Sequence, residues 1–374
     1  MKRFLLLSAL LVSTSSFRSL IAQIKDGREV ILATRWNHQL VVFDARSLKE
    51  LGHFVIGELA MTPSASPDGR TLFIQQPPPS EPHACCALFS LDLATGSMCQ
   101  IVFPSSPGVV SRDGRLLFTQ RGAVGVEVFD AQKLTRLPVI KAPGNYGLSI
   151  SPDGRWLFGT TVWQGPSLDI FDIERGVLVR RLRLPDGLLP RGVWLGNKFY
   201  LYAHDGKQGN IWSVTPDTTE LVAPKRVAIP ITARDNSPIW QGMFASGDRL
   251  IVYEPVAWWL HPARRAQDEE TSSGFFSVDS SSGDVAHLAP GIDFAQLLPS
   301  ADGRYLYGIN AGAVDGTRPA SLLKLDGRTG AVLKRRALPR DSWFMSVAVL
   351  PESLIPRGEL MTTSCQKRES GDRN

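Results

Sequence analysis

Histidine, tryptophan and arginine side chains gather in several stretches that separate the apolar segments of this 374-residue chain. Such side chains can move protons, stack against a ligand or bind an anionic group. They predict a binding surface for a protein partner or a small ligand, although the same residues could simply pack long loops against a scaffold. The candidates are Trp36, His38, His83, Arg121, Trp163, His204, Asp235, Trp240, Trp258, Trp259, His261 and Trp343.

The stretch from Glu254 to Gly274 is the strongest local candidate. It joins the apolar run 258–260 and His261 to the arginine pair 264–265 and the acidic run 268–270. An apolar head on a charged arm suits a lid or a docking arm. A surface Ω-loop without a binding role is the alternative.

Known catalytic motifs are missing from the sequence, which contains no Gly-x-Ser-x-Gly, no His-Glu-x-x-His, no P-loop and no Rossmann glycine motif. An enzyme nevertheless stays an open alternative, as a lactonase-like hydrolase or as the large subunit of a quinoprotein amine dehydrogenase. A hydrolase would need His38, His204, Arg121 and Asp235 to converge on one substrate atom. A dehydrogenase would need a separate cofactor-bearing small subunit.

The four cysteines are Cys85, Cys86, Cys99 and Cys365. If Thr95 is at the centre of a hairpin turn, Cys99 lies opposite Leu91, and Cys86 is about 17 Å further along the strand. That distance is too long for a disulfide bridge. A Cys85–Cys86 bond, a pairing with Cys365 and free thiols all stay open. We expect no metal site and no cofactor, and the lack of Cys-x-x-Cys-His excludes covalent c-type haem.

The N-terminus has the three parts of a secretory signal peptide, predicted over residues 1–22. A basic start precedes the apolar residues 4–12 and a run of small residues, and the apolar stretch is too short to cross a membrane. We therefore expect a periplasmic or secreted protein without a transmembrane segment. The net charge of +5 includes +3 from Lys2, Arg3 and Arg18. Because no basic stripe remains, nucleic acid is not an expected partner.

One phrase recurs along the chain and predicts the fold. Ser66-Pro67-Asp68-Gly69-Arg70 is repeated at 151–155, and copies with Arg112 or Ala301 in place of Pro occur at 111–115 and 300–304. Apolar strand residues follow each copy. Pro and Asp suit the first turn positions and Gly accepts a positive φ, so each copy predicts a β-hairpin. A second hairpin is predicted by an apolar strand that ends in Asp. These aspartates are Asp44, Asp92, Asp130, Asp172, Asp279 and Asp326.

The repeats start at residues 26, 68, 113, 153, 196, 247 and 302. A period in the forties with four short strands is typical of a propeller blade. The sequence predicts an all-β, seven-bladed β-propeller over residues 24–350, with four antiparallel strands (A to D, from the axis outwards) in each blade. The strand at 343–350 should supply the inner strand beside Val30–Ala33 and close the ring. Residues 351–374 should form a polar, mobile tail.

The recurring phrase resembles the YVTN-type repeats of seven-bladed propellers, a WD40-like group that includes the methylamine dehydrogenase heavy subunit and lactonase-type propellers. The resemblance covers about residues 24–350 and implies the propeller fold. Every matching residue is a turn or core residue, so the resemblance implies no catalytic residue.

Loop lengths distinguish the two faces of the predicted ring. The A–B turns vary little, whereas the distance from the turn Arg to the strand-C Asp ranges from 15 residues (Arg115 to Asp130) to 30 residues (Arg249 to Asp279). Long loops on a rigid scaffold are where function tends to be found. We therefore expect binding on the face that carries the B–C and D–A connections, here called the loop-rich face.

Overall fold

The strands of each blade pair antiparallel from the inside outwards in the computed structural model, and the described residues contain no helix. No helix is therefore available among them to span a membrane. The described residues are 29–35, 39–56, 61–76, 87–102, 108–120, 124–142, 144, 146–161, 165–185, 191–204, 209–222, 224–227, 229, 242–253, 274–310, 319–339, 344–351, 360–361 and 363–365. The predicted signal peptide lies outside them.

The strands group by blade in chain order. Blade 1 contains β1 (Glu29–Arg35), β2 (Gln39–Asp44) and β3 (Glu50–Val55), and blade 2 contains β4 (Met61–Ala65), β5 (Thr71–Gln76), β6 (Ala87–Asp92) and β7 (Ser97–Val102). Blade 3 contains β8 (Val109–Val110), β9 (Leu116–Gln120), β10 (Val126–Asp130) and β11 (Thr135–Ile140). Blade 4 contains β12 (Tyr146–Ile150), β13 (Trp156–Thr161), β14 (Ser167–Asp172) and β15 (Val177–Arg183).

Blade 5 contains β16 (Arg191–Leu195), β17 (Lys198–His204), β18 (Gly209–Val214) and β19 (Lys225–Val227), and blade 6 contains β20 (Gly242–Ser246), β21 (Arg249–Tyr253), β22 (Phe275–Asp279) and β23 (Val285–Leu288). Blade 7 contains β24 (Phe294–Pro299), β25 (Tyr305–Asn310), β26 (Ser321–Asp326) and β27 (Val332–Ala337). Three C-terminal strands follow: β28 (Phe344–Pro351), β29 (Leu360–Met361) and β30 (Thr363–Cys365). The seven sheets confirm the predicted seven-bladed propeller.

Each A–B turn of the Ser-x-Asp-Gly type is held by its own side chains. In blade 4, the Ser151 hydroxyl donates to Asp153, the backbone N–H of Trp156 donates to Ser151 Oγ at 2.9 Å, and the backbone N–H of Arg155 donates to Asp153 Oδ1 at 3.1 Å. Gly154 has a φ of 74°. The left-handed backbone at this position explains why the repeat needs glycine.

The strand-C aspartates hold the C–D turns in a similar way, by accepting backbone N–H groups of the turn. The Asp92 carboxylate accepts the backbone N–H groups of Ala94 and Thr95 at 2.9 and 2.8 Å, and Gly96 follows with a φ of 70°. Leu48 and Leu134 occupy the corresponding left-handed position in blades 1 and 3, with φ values of 57° and 55°. All six predicted aspartates end a strand C, as the sequence indicated.

The core lies between neighbouring blades, as the alternation along β1 illustrates. Val30 and Leu32 pack in the cluster shared with blade 2, whereas Ile31 and Ala33 pack in the cluster shared with blade 7. Successive side chains on a strand point to opposite faces of the sheet. Every blade therefore stabilises both of its neighbours, and no blade has a core of its own.

Ring closure occurs where the sequence predicted it. β28 pairs antiparallel with β1, with Val30 opposite Leu350 and Ala33 opposite Val347. The first described strand is thus the second strand of blade 1, and β28 returns near the C-terminal end to supply the inner strand. This pairing removes the exposed edges that an open stack of blades would have.

The seam between blades 7 and 1 carries a cluster of polar contacts beside this closure. Glu29 accepts hydrogen bonds from the Ala301 N–H at 2.7 Å and from the Tyr307 hydroxyl at 3.2 Å. Lys324 Nζ lies 3.7 Å from the centre of the Tyr305 ring. Burial raises the pKa of Glu29, while the two hydrogen bonds act in the opposite direction. The seam therefore holds a carboxyl group whose ionised form is disfavoured.

Blades 3 and 4 each bury a carboxylate on strand C. Asp169 is buried and is bound by Arg181 through two bonds, 2.8 Å from Nε to Oδ1 and 2.6 Å from Nη2 to Oδ2. Glu127 occupies the equivalent position in blade 3, where Arg136 lies 3.1 Å away. Such an ion pair offsets part of the hydration free energy that a charge loses when it is buried.

The C-terminal residues differ from the expected mobile tail. β29 pairs parallel with β3, and β30 pairs parallel with β7, so blades 1 and 2 each gain a fifth, outermost strand. The unpaired edges of β3 and β7 offer N–H and C=O groups to any extended segment, which is why a polar sequence can dock there. The rest of 352–374 lies outside the described residues.

Two truncations test the closure. A chain that ends at Ser342 lacks β28, and we expect it to lose the cooperative thermal transition because β1 keeps an open edge. A chain that ends at Pro351 keeps β28 and should unfold cooperatively. Differential scanning calorimetry compares them, and equal transitions in both would contradict the closing role of β28.

The seam makes stability depend on pH. Because the pKa of Glu29 is raised in the folded state, its favourable contribution is present below the unfolded value of about 4.5 and is lost as the pH rises through the folded pKa. We expect the wild type to lose Tm relative to Glu29→Gln between pH 4 and pH 7. An unchanged Tm difference across this range would contradict the shift.

Candidate functional site

The two faces of the ring differ in their connections, as the sequence predicted. On one face the A–B hairpins of blades 5 and 6 turn at 196–197 and 247–248, and those of blades 2, 3, 4 and 7 turn within 66–70, 111–115, 151–155 and 300–304. On the loop-rich face, the longest connections are 77–86, 228–241, 254–274 and 311–320. Rigid strands thus carry long connections at this end of the blades.

The sequence predicted the site residues for this face, but most of them lie outside the described residues. Only His204 is described, and only for its backbone, which ends β17 opposite Gly209. The positions of the others, and the convergence that a hydrolase would need, therefore stay predictions. The residues outside are Trp36, His38, His83, Arg121, Trp163, Asp235, Trp240, Trp258, Trp259, His261 and Trp343.

The inner strands are more accessible than the strands behind them. All five residues of β16 and four of the five in β20 are partly exposed, whereas the middle residues of β17 and β21 are buried. This gradient indicates solvent access along the ring axis. Among the described inner strands β4, β8, β12, β16, β20, β24 and β28, Arg191 is the single charged residue.

Arg191 begins β16 at the loop-rich end, directly opposite Tyr202 of β17. Its neighbours along that side of blade 5 are apolar, because Val193, Tyr200 and Tyr202 pack in the cluster shared with blade 6. Burial lowers the pKa of the Arg191 guanidinium. The group thus lies at the loop-rich end of the buried apolar cluster shared by blades 5 and 6. We call this end of the interblade interface the 5/6 cleft.

Two equivalent tyrosines explain how an arginine fits there. In blade 6, Tyr253 lies opposite Gly242 on the inner strand, where an added Cβ would lie 2.0 Å from the tyrosine ring. In blade 5, Tyr202 instead covers Gly209 on strand C, where an added Cβ would lie 2.6 Å from its ring. Tyr202 therefore leans outwards and leaves the inner position to Arg191.

Tyr253 fastens blade 6 to blade 7 near the same end. Its ring is buried beside Phe275, Phe294 and Leu297. Burial raises the pKa of its hydroxyl to about 12, while a backbone hydrogen bond with Leu297 acts in the opposite direction. The phenol stays protonated at physiological pH, so it serves as a neutral hydrogen-bonding group rather than a base.

The opposite side of β16 is an aromatic cluster. The Trp194 ring lies 4.7 Å from Phe158 and 5.3 Å from Phe199, measured between ring centres. An added Cβ on Gly192 would lie 2.0 Å from the Phe199 ring, so this glycine is required by close packing. Blade 5 thus has its charged group on the blade-6 side and a packed aromatic core on the blade-4 side.

Arg191 is not among the residues predicted from the sequence, because those were assigned to the connections between strands. The available signal was an arginine just before the apolar residues 193–195 and the repeat start at 196. Within the described part of the chain, no cluster of three or more His, Cys, Asp or Glu residues is arranged to hold a metal ion.

Comparison with known proteins supports the fold. One solved structure similar to this chain is the dihydro-heme d1 dehydrogenase NirN in complex with DHE, which is 13% identical with a TM-score of 0.53 over 87% of this chain and 76% of that chain. In all, 1296 chains of solved structures match, so the likeness does not select a function. No family model and no curated protein matches the chain.

A pair of glycine substitutions tests the packing that shapes the site. Gly242→Ala places a methyl group against the buried Tyr253 ring, and such overpacking costs about 1–3 kcal/mol of unfolding free energy. Gly147→Ala at the equivalent place in blade 4 meets the rotatable Thr160 hydroxyl at 2.9 Å and should cost less. Urea denaturation measures both, and equal losses would contradict the close packing of Tyr253.

Proposed function

We propose that this protein is an exported binding module whose loop-rich face takes an apolar organic ligand with an anionic group at the 5/6 cleft. The observation that carries the proposal is Arg191, a half-buried charge on an otherwise uncharged set of described inner strands. A guanidinium binds carboxylate, sulfonate or phosphate oxygens through paired hydrogen bonds. Val193 and Met243, two partly exposed apolar residues of the same interface, suit the organic part of such a ligand.

The topology supports this location. The connections 205–208, 228–241 and 254–274 all begin or end at the loop-rich end of blades 5 and 6. These connections contain the predicted binding residues Asp235, Trp240, Trp258, Trp259 and His261. A ligand or a protein partner at the 5/6 cleft would therefore meet aromatic and charged residues supplied by the chain segments anchored there.

An enzyme is the alternative. NirN is named a dehydrogenase and was solved in complex with DHE, so a protein with a similar fold can hold a small molecule. At 13% identity this likeness supports the fold alone. The binding proposal needs only a charged anchor and an apolar wall, whereas a hydrolase needs His38, His204, Arg121 and Asp235 to converge. The YVTN-type assignment and export stand as part of the proposal.

Fluorescent probes test the cleft. Anilinonaphthalene sulfonate carries an anionic group on an aromatic body, and N-phenyl-1-naphthylamine has the same body without the charge. Arg191→Gln should lower the affinity for the sulfonate probe by about tenfold, because it removes one charge-assisted hydrogen bond of about 1.4 kcal/mol. It should leave the neutral probe unchanged. Fluorescence titration measures both affinities.

The control is Arg226→Gln, which removes an exposed arginine from outer strand β19 of the same blade. It should bind both probes as the wild type does. An equal loss of affinity for both probes in Arg191→Gln would show a packing defect. An unchanged affinity for the sulfonate probe would show that Arg191 does not bind anions. Either result would overturn the proposal.

A further inference from the structure

The C-terminal end of the chain crosses from one blade to the next on the outside of the ring. Leu360 and Met361 lie beside Phe54 and Val55 of blade 1, and the following strand lies beside Ser97–Cys99 of blade 2. We call Leu360–Met361 together with Thr363–Cys365 the C-terminal strap. The strap therefore joins the outer edges of the first two blades.

Cys99 on β7 is disulfide-bonded, and the residue beside it on the strap is Cys365. Neighbouring strands lie about 4.8 Å apart. This spacing falls within the range of about 4.4–6.8 Å that Cα atoms of a disulfide span. The backbone thus already places the two cysteines at bonding distance.

The other side of Cys99 offers no cysteine within the hairpin. Its partner on β6 is Ser90, one residue from the predicted Leu91. β6 begins at Ala87, which is about 10 Å along the strand from Ser90 at the usual rise per residue. Cys85 and Cys86 precede this start and lie outside the described residues. The register therefore favours Cys365 over either of them.

We propose that Cys99 and Cys365 form a disulfide that locks the C-terminal strap across blades 1 and 2. The bond would tie the segment after the closing strand β28 to the second blade, so the ring would be closed by hydrogen bonds inside and covalently outside. A cross-link between distant residues restricts the unfolded chain strongly, because the loop that it closes is long.

Its formation follows from thiol–disulfide exchange. The thiolate of one cysteine attacks a disulfide of an oxidised donor, such as oxidised glutathione or a disulfide-bearing oxidoreductase, and releases one donor thiolate. The second cysteine attacks the mixed disulfide and releases the other donor sulfur as a thiolate. The two protein thiols lose two protons and two electrons, and the donor disulfide is reduced to two thiols. This chemistry suits the oxidising compartments outside the cytosol.

Peptide mapping tests the pairing directly. The native protein is alkylated without reduction, then digested with trypsin and Asp-N, which separates residues 71–91 (Cys85 and Cys86), 92–112 (Cys99) and 358–367 (Cys365). We expect mass spectrometry to find 92–112 linked to 358–367, and this species to disappear after reduction. A link from 92–112 to 71–91, a link between two copies of 92–112, or an alkylated Cys99 would overturn the proposal.

A second measurement tests whether the Cys99–Cys365 disulfide stabilises the protein. Cys365→Ser should lower Tm by several degrees under oxidising conditions and should match the Tm of the wild type in dithiothreitol. The double variant Cys85→Ser/Cys86→Ser keeps Cys99 and Cys365 and should have the Tm of the oxidised wild type. If Cys365→Ser has the same Tm as the oxidised wild type, the disulfide does not stabilise the fold, even where peptide mapping finds it in the wild type.

Discussion

The pairing of β28 with β1 is the interaction on which the rest of the molecule depends. Each blade has its core only in contact with its neighbours, as Val30 and Ile31 show by facing opposite blades. An open ring would leave two apolar sheet faces in water, one on blade 1 and one on blade 7. Closure therefore stabilises all seven blades, because it gives each of them two neighbours.

Closure also divides the molecule into a rigid face and a variable one. The Ser-x-Asp-Gly turns and the strand-C aspartates satisfy their own backbone N–H groups with local side chains. Such turns need no support from the rest of the chain, so their sequences repeat. The connections on the other face differ in length from blade to blade. Binding groups can be placed there without disturbing the ring.

The fold could be predicted from the sequence because its signals are local. A turn needs glycine at one position, and the alternation of apolar residues gives the strands, so the blade count and the closing strand follow from the printed residues. The side of the blade on which Arg191 lies could not be predicted in this way. Its place depends on the direction in which Tyr202 leans, and that depends on Gly209 in another strand. The docking of Thr363–Cys365 was missed for a related reason: edge pairing uses backbone groups, which leave no pattern in the side chains.

The order of strands has a consequence for how the chain matures. β1 is among the first strands to be made, but its inner partner β28 is the last of the seven inner strands in the sequence. Synthesis proceeds from the N-terminus, so blade 1 has an exposed edge until almost the whole chain has been made. Throughout that interval the unfinished edge can recruit strands from other chains. Chaperones that shield extended segments would therefore matter most at the N-terminal blade, and the last residues to arrive would end that need.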